Sequence, residues 1–176
     1  MAHIKVQIED FDVGAEIAAL TAGRSDIGGI GCFVGIVRDN ANSDHTGRNN
    51  AARDTAGWDN AEQRAAATVT GMTLEHYPGM TERAIARIAD EAAQRWPLLG
   101  CTLIHRIGPL RPGDNIVLVI AASAHRQAAL DATAFLIDWL KTKAPFWKRE
   151  DFTNGAGAWV DAREADDAAA ARWTAT

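Results

Sequence analysis

Basic side chains around a proline–aromatic segment are the strongest chemical signal in this sequence. The stretch Leu140 to Glu150, LKTKAPFWKRE, places Lys148 and Arg149 directly after Phe146 and Trp147. A cation held beside large aromatic rings is partly desolvated, so it attracts an anion more strongly than a cation in water does. The pattern therefore indicates a site for a carboxylate, a thiocarboxylate or a phosphate.

Lys141 and Lys143 lie earlier in the same stretch and have a simpler structural explanation. Both fall in the last turn of a predicted helix, where lysine side chains complement the helix dipole. From the residues alone, this structural role is the stronger interpretation for the two lysines.

A second basic group begins the same helix. Ser123 is a predicted cap for a helix from about 124 to 143, and His125 and Arg126 follow it directly. Unpaired backbone N–H groups and basic side chains at a helix start together form an anion site. Side chains that simply point into solvent are an equally good interpretation. The hypothesis from these patterns is one basic pocket, built from this helix start and a Lys/Arg loop after Pro145.

Three further residues bear on the chemistry. Arg38 directly follows a buried strand and is a weaker anion-binding candidate. Cys32 and Cys101 are predicted to be buried, reduced thiols, since neither has a partner at disulfide or zinc-ligand spacing. Any sulfur that the protein handles is therefore not expected to come from its own cysteines, and no metal site is predicted.

Composition limits the class of protein. The chain has 176 residues, of which 47% are hydrophobic and 23% charged, as expected of one soluble domain. The net charge is −5, but residues 101–150 hold seven Lys/Arg against four Asp/Glu. An acidic protein with one basic segment favours a confined anionic ligand over nucleic acid. No apolar run approaches the roughly 20 residues needed to span a bilayer, so we expect a cytoplasmic protein without membrane contact.

Helices and strands alternate along the chain, and a predicted hairpin indicates an α+β fold with a mixed sheet and flanking helices. Residues 1–176 are predicted to form one domain. Residues 40–67 are polar, lack apolar periodicity and predict a flexible insertion; a loop that lies over the basic pocket is the alternative. The predicted elements are strands 3–9, 28–38, 68–77, 101–107 and 115–121, helices 13–22, 81–96 and 124–143, a short strand near Trp159, and a C-terminal helix.

Four motifs, in the same order, resemble the large subunit of molybdopterin synthase. They are LEHYPGMTE (Leu74 to Glu82), AASAHR (Ala121 to Arg126), LKTKAPFWKRE and WVDAR (Trp159 to Arg163). The resemblance covers nearly the whole chain apart from residues 40–67. It implies an α/β-hammerhead fold, a homodimer, and a small ubiquitin-like sulfur-carrier subunit at each end, which together make a heterotetramer. It implies no metal and no redox cofactor.

The resemblance also implies a reaction. The C-terminal thiocarboxylate of the carrier enters a pocket of the large subunit, and two sulfurs pass to cyclic pyranopterin monophosphate to give molybdopterin, in molybdenum cofactor biosynthesis. The nucleophilic sulfur then comes from the partner, and this chain supplies positioning and positive charge. A module that only binds the carrier, and an enzyme acting on another phosphorylated metabolite, are the alternatives.

Individual residues match the family's site. Lys141 and Lys148 match its two catalytic lysines, and Ile36 stands where the family often has a lysine. The predicted substrate-binding residues are Arg38, His125, Arg126, Arg149, which lies beside Lys148, and Arg163, which the resemblance places across the dimer.

Overall fold

The computed structural model describes residues 2–38, 69–153, 157–160 and 164–173. The predicted insertion at 40–67 and the predicted substrate-binding residue Arg163 lie outside the described residues. Within the described ranges, no helix is long and apolar enough to cross a membrane.

The strands form two four-stranded sheets, ordered β1-β4-β6-β2 and β5-β3-β7-β8. The first is mixed, because β1 runs parallel to β4 while the other pairs are antiparallel; the second is antiparallel throughout. The predicted α+β class is thus confirmed, with two sheets in place of one. The strands are β1 (Ala2–Gln7), β2 (Gly29–Ile36), β3 (Val69–His76), β4 (Leu98–Arg106), β5 (Gly108–Leu110), β6 (Asn115–Ser123), β7 (Phe146–Phe152) and β8 (Gly157–Val160).

Four helices accompany the sheets in the described ranges: α1 (Val13–Thr21), α2 (Met80–Arg95), α3 (Arg126–Lys143) and α4 (Glu164–Ala171). The main core lies between the first sheet and the pair α2 and α3. It contains Ile85 and Ile88 of α2, Leu103 and Val119 of the sheet, and Phe135 of α3. Their three- and four-residue spacing in the helices and alternation in the strands account for this burial.

Glycines in β2 and directly before it allow α3 to lie directly on the first sheet. A Cβ atom at Gly31 would stand 2.3 Å from the hydroxyl of Thr133 and 2.6 Å from the carbonyl oxygen of Ala129. At Gly28, a Cβ would stand 2.1 Å from the carbonyl oxygen of Ala124. No larger residue fits at these positions. The close approach of the two backbones therefore determines where α3 begins and the direction of its axis across the sheet.

The C-terminal helix α4 is held against α3 by an aromatic and polar anchor. The Trp173 ring packs edge-on against Trp96 and Phe135, at 5.7 Å between centroids in each pair. The Trp173 indole N–H donates to a carboxylate oxygen of Asp138 at 2.9 Å. This anchor keeps α4 beside the part of α3 that carries the lysines.

Two predictions about the elements next to α3 were wrong. Helix α3 begins at Arg126 with His125 as its N-cap, while Ser123 ends β6 and donates its buried hydroxyl to the carbonyl oxygen of Pro97 at 3.0 Å. The predicted Lys/Arg loop is strand β7, paired with β3 on one side and β8 on the other.

Candidate functional site

Lys141 and Lys148 lie on either side of one sharp turn. Helix α3 ends at Lys143 and strand β7 begins at Phe146, so only two residues connect them. The amide of Phe146 donates to the carbonyl oxygen of Ala144 at 2.9 Å and closes the turn. The two lysines therefore come from a helix end and a strand start that meet at this connection.

Lys148 and Arg149 point to opposite faces of the second sheet, because successive side chains of a strand alternate. Lys148 shares one face of β7 with Glu150, and the two form an ion pair at 2.5 Å. Arg149 shares the other face with Asp151 at 3.3 Å. The two basic residues are therefore separated by the sheet and do not lie side by side on one face.

Both lysines have a carboxylate partner in the folded chain. Lys141 lies 3.3 Å from Asp166 of α4, with its side chain 51% exposed, whereas Lys148, paired with Glu150, is 28% exposed. Ion pairs open to solvent contribute about 0–1 kcal/mol, so an incoming anion can replace Asp166 beside the half-exposed Lys141 at low cost. Asp166 lies 25 residues from Lys141 in the sequence, so no local pattern signals this contact.

His125 and Arg126 lie at the other end of α3. Lys141 lies 15 positions after Arg126 in the helix, which corresponds to about 22 Å along the axis. Both side chains are exposed, the first turn holds no acidic residue, and no described carboxylate pairs with either. One chain thus does not bring the helix start and the lysines into a single pocket.

Arg38 follows a buried residue that connects the end of β2 to the second sheet. Its neighbour Val37 is 2% exposed, donates its amide to the carbonyl oxygen of Asp114, and belongs to the same buried cluster as Leu74 of the second sheet. Leu74 pairs in register with Lys148. The Arg38 side chain is exposed and has no acid partner among the described residues.

A stacked pair of rings supports the turn between α3 and β7. Phe146 lies face to face with His105, at 3.7 Å between centroids and 15° between planes. The His105 Nδ1 contacts the carbonyl oxygen of Arg106 at 2.8 Å. Burial lowers the pKa of His105 to about 4, the hydrogen bond to Arg106 opposes the shift, and the charge of the nearby His76 adds to it. His105 is therefore neutral at pH 7.

We expect His105 to make stability depend on pH below about 6.5. Between its unfolded pKa near 6.5 and its folded pKa of about 4, the unfolded chain binds a proton that the fold does not. As the pH falls from about 6.5 to 5, the free energy of unfolding should decrease by about 2 kcal/mol, approaching roughly 3 kcal/mol only below pH 4; above about pH 6.5 this group should have little effect. Urea titrations from pH 8 to pH 5 measure the change. His105→Phe keeps a stacked ring without a titrating group, so equal pH dependence in both proteins would contradict the prediction.

The cysteines are poorly suited to act as nucleophiles. Cys101 is buried as predicted, and burial raises its pKa to about 11; Cys32 is exposed, contrary to prediction, although desolvation still raises its pKa. Neither thiol is a substantial thiolate near neutral pH. In the described part of the chain, no cluster of three His, Cys, Asp or Glu is arranged to hold a metal ion.

Comparison with known proteins identifies the family to which these features belong. The family model described as MoaE protein matches residues 6–143. This chain belongs to the MoaE family. The molybdopterin synthase catalytic subunit of Mesorhizobium japonicum is 52% identical over 171 residues, 97% of this chain and 92% of that protein. The subunit of the same name from Pseudomonas aeruginosa is 50% identical over 170 residues, covering 97% of each.

The structural comparison agrees with the sequence comparison. The molybdopterin biosynthesis MoaE protein from Burkholderia ambifaria superposes with a TM-score of 0.73 at 44% identity, covering 99% of both chains. The MoaE-family assignment rests on nearly the whole chain, and the resemblance inferred from four short motifs is confirmed.

Proposed function

We propose that this chain is the catalytic subunit of a molybdopterin synthase, and that it transfers sulfur from the C-terminal thiocarboxylate of a small ubiquitin-like carrier to cyclic pyranopterin monophosphate. The observation that carries the proposal is the placement of Lys141 and Lys148 on either side of the two-residue connection between α3 and β7. Two ammonium groups next to one turn suit a reaction in which a negatively charged tail meets a negatively charged substrate.

Lys141 is assigned to the carrier terminus. Its side chain is the more exposed of the two, so a tail arriving from solvent can reach it and displace Asp166. Lys148 is assigned to the sulfur transfer or to the opening of the cyclic phosphate. It is the less exposed lysine, and lower exposure strengthens its attraction for charge that develops on the reacting group.

The helix-start pair, His125 and Arg126, is assigned to the substrate phosphate. Two exposed basic side chains beside free backbone N–H groups favour a phosphate more than any other anion in this reaction. Because the pair lies about 22 Å from Lys141 in one chain, it can act on the same substrate only in a homodimer whose second copy supplies one of the two groups. The predicted homodimer, with a carrier at each end in a heterotetramer, meets this requirement.

The proposal is tested by incubating the purified chain with thiocarboxylated carrier and cyclic pyranopterin monophosphate and measuring molybdopterin. We expect product only when both are present, and none when the carrier ends in an ordinary carboxylate. Normal carrier binding without product would favour a module that only binds the carrier. Failure of both binding and turnover would favour an enzyme for another phosphorylated metabolite.

A further inference from the structure

A buried hydroxyl of helix α2 is hydrogen-bonded to the turn between α3 and β7. Thr81, the second residue of α2, has 0% of its surface exposed. Its Oγ1 donates to the carbonyl oxygen of Pro145 at 3.2 Å and accepts from the amide of Tyr77 at 3.3 Å. One side chain thus connects the end of β3, the start of α2 and the two-residue link between Lys143 and Phe146.

The same turn is held from a second side by the first sheet. Phe146 stacks on His105 of β4, and His105 is fixed in turn by its contact with the carbonyl oxygen of Arg106. His76 of β3 pairs in register with Phe146, is 14% exposed, and has its Nε2 3.7 Å from a carboxylate oxygen of Glu82. The link and the first residue of β7 are therefore contacted by α2 on one side and by β3 and β4 on the other.

The hydrogen bond from Thr81 and the ring stack on His105 are more contacts than a helix-to-strand connection requires to reverse the chain direction. A two-residue connection from helix to strand forms readily without a long-range side-chain contact. Here the carbonyl of Pro145 accepts a hydrogen bond from a residue 64 positions away in sequence. The conformation of this link determines how the end of α3, with Lys141, is placed relative to the start of β7, with Lys148.

We propose that Thr81 and the His105–Phe146 stack are positioning elements of the synthase, which set the distance and direction between Lys141 and Lys148. The inference rests on the proposed catalytic role of those two lysines. Among the described residues, the Thr81 hydroxyl is hydrogen-bonded to Tyr77 and Pro145 and to neither lysine, so it acts through the Pro145 carbonyl. Displacing a reacting group by about 1 Å can cost about 100-fold in rate, so loss of one hydrogen bond at this turn is enough to affect turnover.

The test replaces Thr81 by valine, which keeps the shape and removes the hydrogen bond, and by serine, which keeps the hydroxyl. In the full chain with thiocarboxylated carrier, we expect Thr81→Val to lower kcat about tenfold while the KM values for carrier and pterin stay within about twofold. Thr81→Ser should restore kcat to within about threefold of the original. A matched control is Thr133→Val, because Thr133 is also buried and donates to the carbonyl oxygen of Ala129 at 2.8 Å, in the middle of α3.

The possible outcomes are distinct. A folded Thr81→Val protein with unchanged kcat overturns the inference, as does an equal loss of kcat in Thr133→Val, which would indicate general destabilisation. If Thr81→Val does not fold, Phe146→Leu removes the stack with His105 while keeping an apolar side chain; it should lower kcat in the same selective way, and unchanged kcat there overturns the inference. If Lys141→Ala and Lys148→Ala remain active, the proposed function fails instead, whatever the Thr81 variants show.

Discussion

Replacing Lys141 by alanine is expected to reduce molybdopterin formation by about 10²–10³-fold, the loss typical when a charged or hydrogen-bonding group that stabilises a transition state is removed. The substitution should leave the fold intact, because the side chain is 51% exposed and its only described polar partner is Asp166. Product formed per minute at saturating carrier and substrate measures the first effect. Sedimentation of the variant measures whether the predicted dimer persists.

Lys143→Ala is the matched control for this experiment. Lys143 lies in the same last turn of α3 and carries the same charge, but its ammonium group lies over the Trp139 ring at 5.4 Å from the centroid. It is expected to change turnover little, because its contact is with the helix and not with the turn. Near-normal turnover in Lys141→Ala, or an equal loss in Lys143→Ala, would contradict the specific role assigned to Lys141.

Local patterns in the sequence predicted most elements of the fold. The spacing of Ile85, Ile88 and Ala92 predicted α2, and these side chains are buried on one face as the periodicity requires. The two apolar runs at 101–107 and 115–121 predicted the antiparallel pairing of β4 and β6, although Gly108–Leu110 between them forms β5 and pairs with β3. Such elements are predictable because burial of one face imposes a regular spacing of apolar residues, and turn residues close by mark where the element ends.

Strand β7 could not be predicted from the same kind of pattern. Lys148, Arg149, Glu150 and Asp151 are four charged residues in succession, so neither face shows apolar alternation. In the fold, each basic residue pairs with the acid two positions later on its own face. The opposite charges offset one another within each face, which allows a strongly charged segment to join a sheet between two other strands.

The arrangement of the site depends on long-range packing and was only partly predictable. The residue types indicated an anion site at each end of α3, and the resemblance identified Lys141 as catalytic. The contact of Lys141 with Asp166 depends on Trp173, which anchors α4 through Asp138. The length of α3 alone places the two anion sites about 22 Å apart. This distance changes the hypothesis from one pocket within one chain to a site shared between two copies of the chain.

Two inactive variants are therefore expected to restore activity to each other within one dimer. One copy carries Lys141→Ala, and the other carries His125→Ala with Arg126→Ala. If each site takes its lysine from one copy and its helix-start pair from the other, a mixed dimer has one defective site and one intact site. Co-expressed copies with different tags, purified through both tags, should then show about half of the original turnover, whereas each variant alone stays inactive.

A crossed control gives the opposite outcome. When all three substitutions are placed in one copy and the other copy is unaltered, shared sites leave both positions of the mixed dimer defective, and turnover should be near zero. If each chain instead held a complete site, this crossed dimer would keep about half of the activity and the first mixed dimer would have none. Because the two arrangements predict opposite results in the two dimers, the comparison tests whether the 22 Å separation along α3 is bridged by a second copy.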